Sequence, residues 1–193
     1  MTKLLLSIGY ERRIVNLHRR NARLGFSMVE YLATLVIAAI LLFMTLSNFR
    51  SVVDRSRVST AMGEFRTAIL LARAEAIRHR WRVDVIPVNA KEWGKGWLVL
   101  IDANNNQRFD SGDLLLHRSQ VDTKGLVVEA NLRDSKKSYL AFDSSGHPRS
   151  AASSQIPQIG SFTFSVSAQR LKIIISFLGR IRVCDPVKDS TTC

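Results

Sequence analysis

Near its C-terminal end the chain reads "FLGRIRVC", with two arginines, Arg180 and Arg182, separated by one apolar residue. In an extended segment alternate side chains rise on the same side, roughly 7 Å apart along the chain. Two guanidiniums so placed can each hold a phosphate of one nucleic-acid strand through charge-assisted hydrogen bonds, without reading bases. From Leu171 onward, alternation puts Leu171, Ile173, Ile175, Phe177, Ile181 and Val183 on one face of a single strand. Lys172, Ser176, Arg180 and Arg182 take the other face, joined by Ile174 and Leu178. Gly179 carries no side chain to block the approach of a second backbone. The plainer alternative is that both arginines decorate a solvated edge strand and discourage sheet aggregation.

Cys184 and Cys193 are the only cysteines. Their spacing suits a small disulfide loop, which would fix the segment after Arg182 and hold Lys188 close to it; two unpaired thiols are the alternative. A disulfide implies an oxidising compartment. Two thiols with no histidine nearby cannot build a structural zinc site. The run "DANNNQRFDSGD" places Asp102, Asn104, Asn106, Asp110 and Asp113 at oxygen-ligand spacings. Gln107, however, stands where a calcium loop needs glycine for its sharp turn, Asp113 replaces the usual terminal glutamate, and no helices flank the run, so a polar hairpin connection is the better account. His18, His79, His117 and His147 are scattered outside any metal or catalytic motif. No nucleophile elbow occurs. The expectation is no catalytic residue, no metal and no cofactor. Trp81, Trp93 and Trp97 are expected to pack the head rather than form a stacking platform.

The formal net charge is +12. Residues 1–25 hold six basic residues and one acid, but residues 50–193 are basic in their own right, which favours an anionic partner such as nucleic acid or a membrane surface, with a solvated face that keeps the head soluble as the plain alternative. From Phe26 to Phe49 the only charged residue is Glu30. That run is long enough to span a bilayer as a helix, and the basic flank "ERRIVNLHRRNAR" keeps the N-terminus cytoplasmic. The apolar part is too long for a secretory signal, and no small-residue cleavage pattern follows it. An unpaired carboxylate in lipid costs several kcal/mol, so Glu30 needs either a partner or an escape to the headgroups.

Beyond Phe49, Met62, Phe65, Ile69, Ala72 and Ala76 recur at spacings of three and four, the apolar face of an amphipathic helix that fades near "RHRWRVDV". Gly63 lies inside it, where a bend or, better, packing would account for it. Short strand-like segments follow: "RVDVIPV", "GWLVLID", "DLLLHRS", "GLVVEANL", "SYLAFD", "SFTFSVSA" and "LKIIISFLGRIRV". The linking run "DSSGHPRSAASSQIPQIGS" has the composition of a mobile loop. Helix first and strands after imply an α+β fold with an antiparallel sheet on the C-terminal half of the helix.

"GFSMVE" followed by the apolar run resembles the class III signal of type IV pilins and type II secretion pseudopilins. The resemblance implies cleavage by a prepilin peptidase between Gly25 and Phe26, N-methylation of Phe26, and an assembly role for Glu30, which would meet the N-terminal amine of a neighbouring subunit. "LARAEAIRHRWRVDV", "WGKGWLVLIDANNNQRFDSGDLLL" and the terminal "FLGRIRVC" are similar to the branch that contains FimT-type minor pilins and GspH-type pseudopilins. It implies a pilin-like fold in four segments: a leader at 1–25, a transmembrane or filament-core helix at 26–49, the amphipathic half of that helix at 50–80, and a β-rich head with a C-terminal disulfide loop at 81–193. "GRIR" fits the G-R-x-R pattern of FimT-like pilins, which implies non-specific DNA capture during natural transformation by Gly179, Arg180, Arg182, Lys172 and Lys188. Lys136, Lys137, Arg149 and Arg170 can extend that footprint. Expected partners are DNA, other major and minor pilins, the prepilin peptidase and the inner membrane. The head would be periplasmic and, after assembly, part of a pilus at the cell surface. The competing implication is a GspH-like pseudopilin, a structural component of type II secretion.

Overall fold

The protein's structure, a computed structural model, describes residues 25, 27–134, 138–153, 155–189, 191 and 193, with the side chains of 44–48 left out. The leader, Phe26, Lys136 and Lys137 therefore lie outside the described residues. The chain divides into two compact units between Phe43 and Met44.

Helix α1, Met28–His79, begins in the first unit. Ser27 caps it: its Oγ accepts the backbone N–H of Glu30 at 3.2 Å, and its carbonyl accepts that of Tyr31 at 3.2 Å. Glu30 so falls in the first turn, where a carboxylate opposes the positive end of the helix dipole. Around it Met28, Val29, Tyr31, Leu32, Leu35 and Val36 are all exposed. Among the described residues no helix is long and apolar enough to cross a membrane; the expected span 26–49 includes Phe26 and the side chains of 44–48.

In the second unit α1 buries Val58, Ala61, Phe65, Ala68, Ile69, Ala72 and Ala76, the three-and-four spacing read from the sequence. Gly63 departs from expectation. A Cβ placed there meets nothing within 4 Å, so packing does not require a glycine.

Eight strands follow: β1 (Val83–Asn89), β2 (Glu92–Ile101), β3 (Leu114–Gln120), β4 (Val127–Leu132), β5 (Leu140–Phe142), β6 (Gly160–Val166), β7 (Gln169–Ile175) and β8 (Ile181–Cys184). They form two antiparallel sheets rather than one, ordered β3-β2-β1-β5 and β4-β6-β7-β8. Inward-facing residues of both sheets meet the helix in a single core. Phe65 is its hub, with ring centroids 4.9 Å from Trp97 and 4.6 Å from Phe162, both edge-on. Trp93 and Trp97 are buried as expected, whereas Trp81, just past the helix end, is 56% exposed.

Two polar arrangements hold the periphery. Asp84 is fully buried and takes a two-pronged ion pair from Arg82, with Nε–Oδ1 at 2.7 Å and Nη2–Oδ2 at 3.1 Å. Burial pushes the Asp84 carboxyl up to about 6, against the pull of Arg82. The long loop expected to be mobile is anchored instead. Gln158, fully buried, accepts Asp134 N–H at 3.0 Å and donates to the Tyr139 carbonyl at 3.2 Å. The Tyr139 hydroxyl in turn accepts Ala151 N–H at 2.5 Å.

Gly63→Ala should raise stability by about 1 kcal/mol, read from urea unfolding, since alanine is the better helix former and open space receives its methyl. Arg82→Met leaves Asp84 buried without its partner. A carboxyl raised in the folded state destabilises when ionised, so the cost grows as pH rises through about 6. The variant should lose about 3 kcal/mol in mildly alkaline buffer and much less in acid below the Asp84 pKa, where that group is protonated. Equal losses at both pH values would contradict this account.

Candidate nucleic-acid interface

The segment expected to run as one strand from Leu171 to Val183 folds back on itself. Strand β7 ends at Ile175, and Ser176–Arg180 makes a turn into β8. Three bonds close that turn: Ser176 N–H to the Arg180 carbonyl at 3.0 Å, Gly179 N–H to the Ser176 carbonyl at 2.9 Å, and Arg180 N–H to Ser176 Oγ at 3.1 Å. Phe177 and Leu178, which read as strand residues, stand exposed at its tip.

Gly179 explains the reversal. Its φ is +75°, in the left-handed region. A Cβ there would meet the Gly146 carbonyl oxygen at 3.0 Å and Pro148 Cδ at 3.4 Å. Arg73 of α1 donates from Nη1 to the Gly179 carbonyl at 3.2 Å. The bare side of this glycine therefore faces its own chain and does not lie open to a second backbone. Its effect on the arginines is positional.

Antiparallel pairing sets Lys172 opposite Cys184, Ile174 opposite Arg182, and Ile175 opposite Ile181. Residues paired this way share a face, so Lys172 and Arg182 are diagonal neighbours on the outer side of the second sheet. The Ser176–Arg180 bond carries the alternation one step further, to Arg180. Arg180 and Arg182 are exposed while Ile181 between them packs towards the core. Expectation and structure thus agree that Lys172, Ile174, Arg180 and Arg182 share a face, through a hairpin instead of a straight strand, while Phe177 and Leu178 leave the alternation at the turn. Arg170 is exposed on the same face of β7, opposite Ser165.

The disulfide between Cys184 and Cys193 forms, with Cα atoms 5.8 Å apart. Lys172 Nζ donates to the Cys193 backbone oxygen at 3.1 Å, which ties the last residue to β7. Lys188 is exposed in the loop so closed, but Asp185 and Asp189 flank it. Asp185 also takes an ion pair from Arg55 at 3.5 Å. The loop is the least basic part of the expected footprint. Arg149 pairs with Asp143 at 2.8 Å. Desolvation works to raise the Asp143 carboxyl, but hydrogen bonds from Ser145 and His147, with Arg149 beside it, hold it below its ordinary value.

Arg133 was not anticipated. It is exposed just past β4, and its N–H bonds the Ile159 carbonyl at 2.8 Å. With Lys172, Ser161 and Ile174 it lines a shallow groove of about 560 Å³ across the outer face of the second sheet. Arg133 and Lys172 are far apart in sequence, and only the β4-β6-β7 pairing brings them together, so no local signal announces it.

Similarity to known proteins agrees with this architecture. The family model described as Type II transport protein GspH matches residues 61–179. Among solved structures, the type IV minor pilin FimU of Pseudomonas aeruginosa is 20% identical with a TM-score of 0.53, covering 69% of this chain and 92% of that one. The minor pseudopilin EpsH from the Type 2 Secretion System of Vibrio cholerae is 13% identical with a TM-score of 0.46, covering 69% and 98%. At this identity the FimU likeness speaks to fold alone: a helix on antiparallel sheets, the α+β arrangement expected. No curated protein matches the chain.

Gly179→Ala should strain the turn and push on Gly146, at a cost of roughly 1–3 kcal/mol in urea unfolding. A variant as stable as the parent would mean that the turn tolerates another backbone geometry.

Proposed function

The chain belongs to the GspH family of type II transport proteins, and from that premise we propose that it is a minor type IV pilin which binds extracellular DNA without sequence preference, for uptake in natural transformation. The observation that carries this reading is the cluster of Arg180, Arg182 and Lys172 on one face of the β7–β8 hairpin, with Arg170 on the same face and Arg133 across the groove. Such cations match the charge of a phosphate backbone, and contacts to that backbone carry no sequence information directly. Gly179 sets the turn that presents them, and Lys188 adds a further cation from the disulfide loop.

The rest of the proposal follows the prepilin signal. The prepilin peptidase cleaves after Gly25 and methylates Phe26, the apolar helix anchors the protein once across the inner membrane with the head in the periplasm, and Glu30 meets the amine of a neighbouring pilin during assembly. The second reading is a GspH-like pseudopilin, a structural part of type II protein secretion. The family match favours it directly, since its description names type II transport. In that case the basic face has no DNA to hold.

The two readings separate in a titration of the full chain, kept in a mild non-ionic detergent, with fluorescent DNA of unrelated sequences at two salt concentrations. The DNA reading expects sequence-indifferent binding that weakens with salt as counterions are released. Arg180→Gln with Arg182→Gln should lower affinity about tenfold or more and reduce the salt slope by about one for each phosphate no longer held. No binding by the parent chain at low salt would hand the protein to the secretion reading. Binding unchanged in a folded double variant would keep DNA as partner and reassign the residues.

A further inference from the structure

The outer face of the first sheet carries a groove that the phosphate-binding reading leaves unused. Its floor is a cross-strand row in which Ile86 pairs with Leu98 and Leu98 with Arg118. Ile86 and Leu98 are almost fully buried, so the floor is apolar and dense, while Arg118 at the end of the row is exposed. Lys91 stands at the tip of the β1–β2 hairpin, exposed, with φ +67°. The opposite wall is the loop after β2, which contributes Arg108 and Phe109. The space enclosed is about 510 Å³, within the range of small-ligand sites.

The loop is the aspartate-rich run whose spacing allows calcium but reads better as a polar connection, and its hydrogen bonding shows what its acids do in this fold. Asp102 accepts the N–H groups of Asn106 at 3.2 Å and Gln107 at 2.6 Å. Asp113 accepts those of Ala103 at 3.0 Å and Asp110 at 2.9 Å. Asp110 takes the amides of Asn104 and Asn106, which hold its carboxyl below the ordinary value. The carboxylates turn into the loop and shape it, and none lines the groove. Arg108 and Phe109 are what the loop presents outward.

Three features then stand together. Among the described residues, Lys91, Arg108 and Arg118 have no carboxylate partner. Phe109, a flat aromatic ring, is 48% exposed beside them. The nearby amides are committed inside the loop: Asn106 donates to Asp110 and accepts from Arg108 N–H, and the Gln107 amide donates to Asn105. We propose that this groove binds unpaired nucleotides of a single DNA strand, with a base stacked on Phe109 over the apolar floor and the flanking phosphates on Lys91, Arg108 and Arg118.

A nucleotide unit repeats a flat apolar base and an anion together, which is the combination the groove offers. An acidic peptide would satisfy the cations and leave Phe109 uncovered. Duplex DNA keeps its base faces stacked on one another, so it cannot use the ring. The Asn106 and Gln107 amide donors are committed inside the loop, and stacking on a ring tolerates any base. The inference rests on the DNA-capture reading and assigns its two faces different work: the β7–β8 face holds phosphates of either form, and this groove holds single strands only.

The test compares the full chain with Phe109→Ala and with Arg108→Gln plus Arg118→Gln, each titrated with a short fluorescent oligothymidylate and with a duplex of the same length. These side chains are exposed, and thermal unfolding checks that the variants fold. Phe109→Ala should weaken single-strand binding about tenfold, the scale of one stacked base, and leave duplex binding unchanged. If the parent binds both forms and Phe109→Ala binds the single strand as tightly, the groove proposal fails and DNA capture stands. If the parent binds neither, both readings fall together. Displacement of a labelled polyglutamate that depends on Arg108 and Arg118, with single-strand binding indifferent to Phe109, would assign the groove to acidic peptides and overturn the proposal.

Discussion

The packing of Phe65 is the constraint on which the remaining geometry depends. Its ring meets Trp93 and Trp97 of β2 in one sheet and Phe162 and Phe164 of β6 in the other. One side chain on the helix thus fixes both sheets, through three edge-on contacts and one tilted contact, to Phe164, worth roughly 0.5–1.5 kcal/mol each beyond the area they bury. Once both sheets are seated on α1, their outer faces and their connecting loops have defined positions. Both candidate binding surfaces lie on those outer faces. Neither has a side chain in the hub, yet each depends on it for its support.

The division of charge follows from the same packing. Several carboxylates are consumed inside the head: Asp84 by Arg82, Asp102 and Asp113 by loop N–H groups, Asp143 by the turn it shapes and by Arg149. A carboxylate bonded to inward N–H groups shapes the fold but presents little to a ligand. Cations such as Arg133, Arg180, Arg108 and Arg118 stand at the surface instead. The basic excess is therefore expressed outward more strongly than the formal count suggests, and this is the physical basis for expecting a polyanionic partner.

The basic cluster on the β7–β8 face was partly legible in the sequence. Period-two alternation put Lys172, Arg180 and Arg182 on one face, and the hairpin preserves that face because antiparallel pairing matches residues of the same parity, Lys172 with Cys184 and Ile174 with Arg182. The turn itself escaped notice because Phe177 and Leu178 look like strand residues. Gly179 was the available signal, and its apparent role in ligand approach hid its need for a left-handed φ. The aspartate loop, whose spacing allowed calcium but whose missing glycine made a polar connection the better reading, is a related case. The spacing of oxygen ligands and of backbone-capping aspartates is alike, and only the hydrogen bonds show what the carboxylates face.

Local physics was enough for some features. The three-and-four spacing of Phe65, Ile69, Ala72 and Ala76 marks one buried helix face whatever packs on it, and the positions of seven strand-bearing segments follow from alternation and turn residues. The pairing of Cys184 with Cys193 was suggested by their closeness in sequence, with no other cysteine in the chain. Tertiary structure decided what depends on distant residues. It split one expected sheet into two, and Phe65 meets the first through β2 and the second through β6. It gave Arg133 to Lys172, Phe109 to Leu98, and the loop around Gln158 its anchor at Tyr139. Register between strands far apart in the chain is set by the shared core, and no local pattern encodes the partner across it.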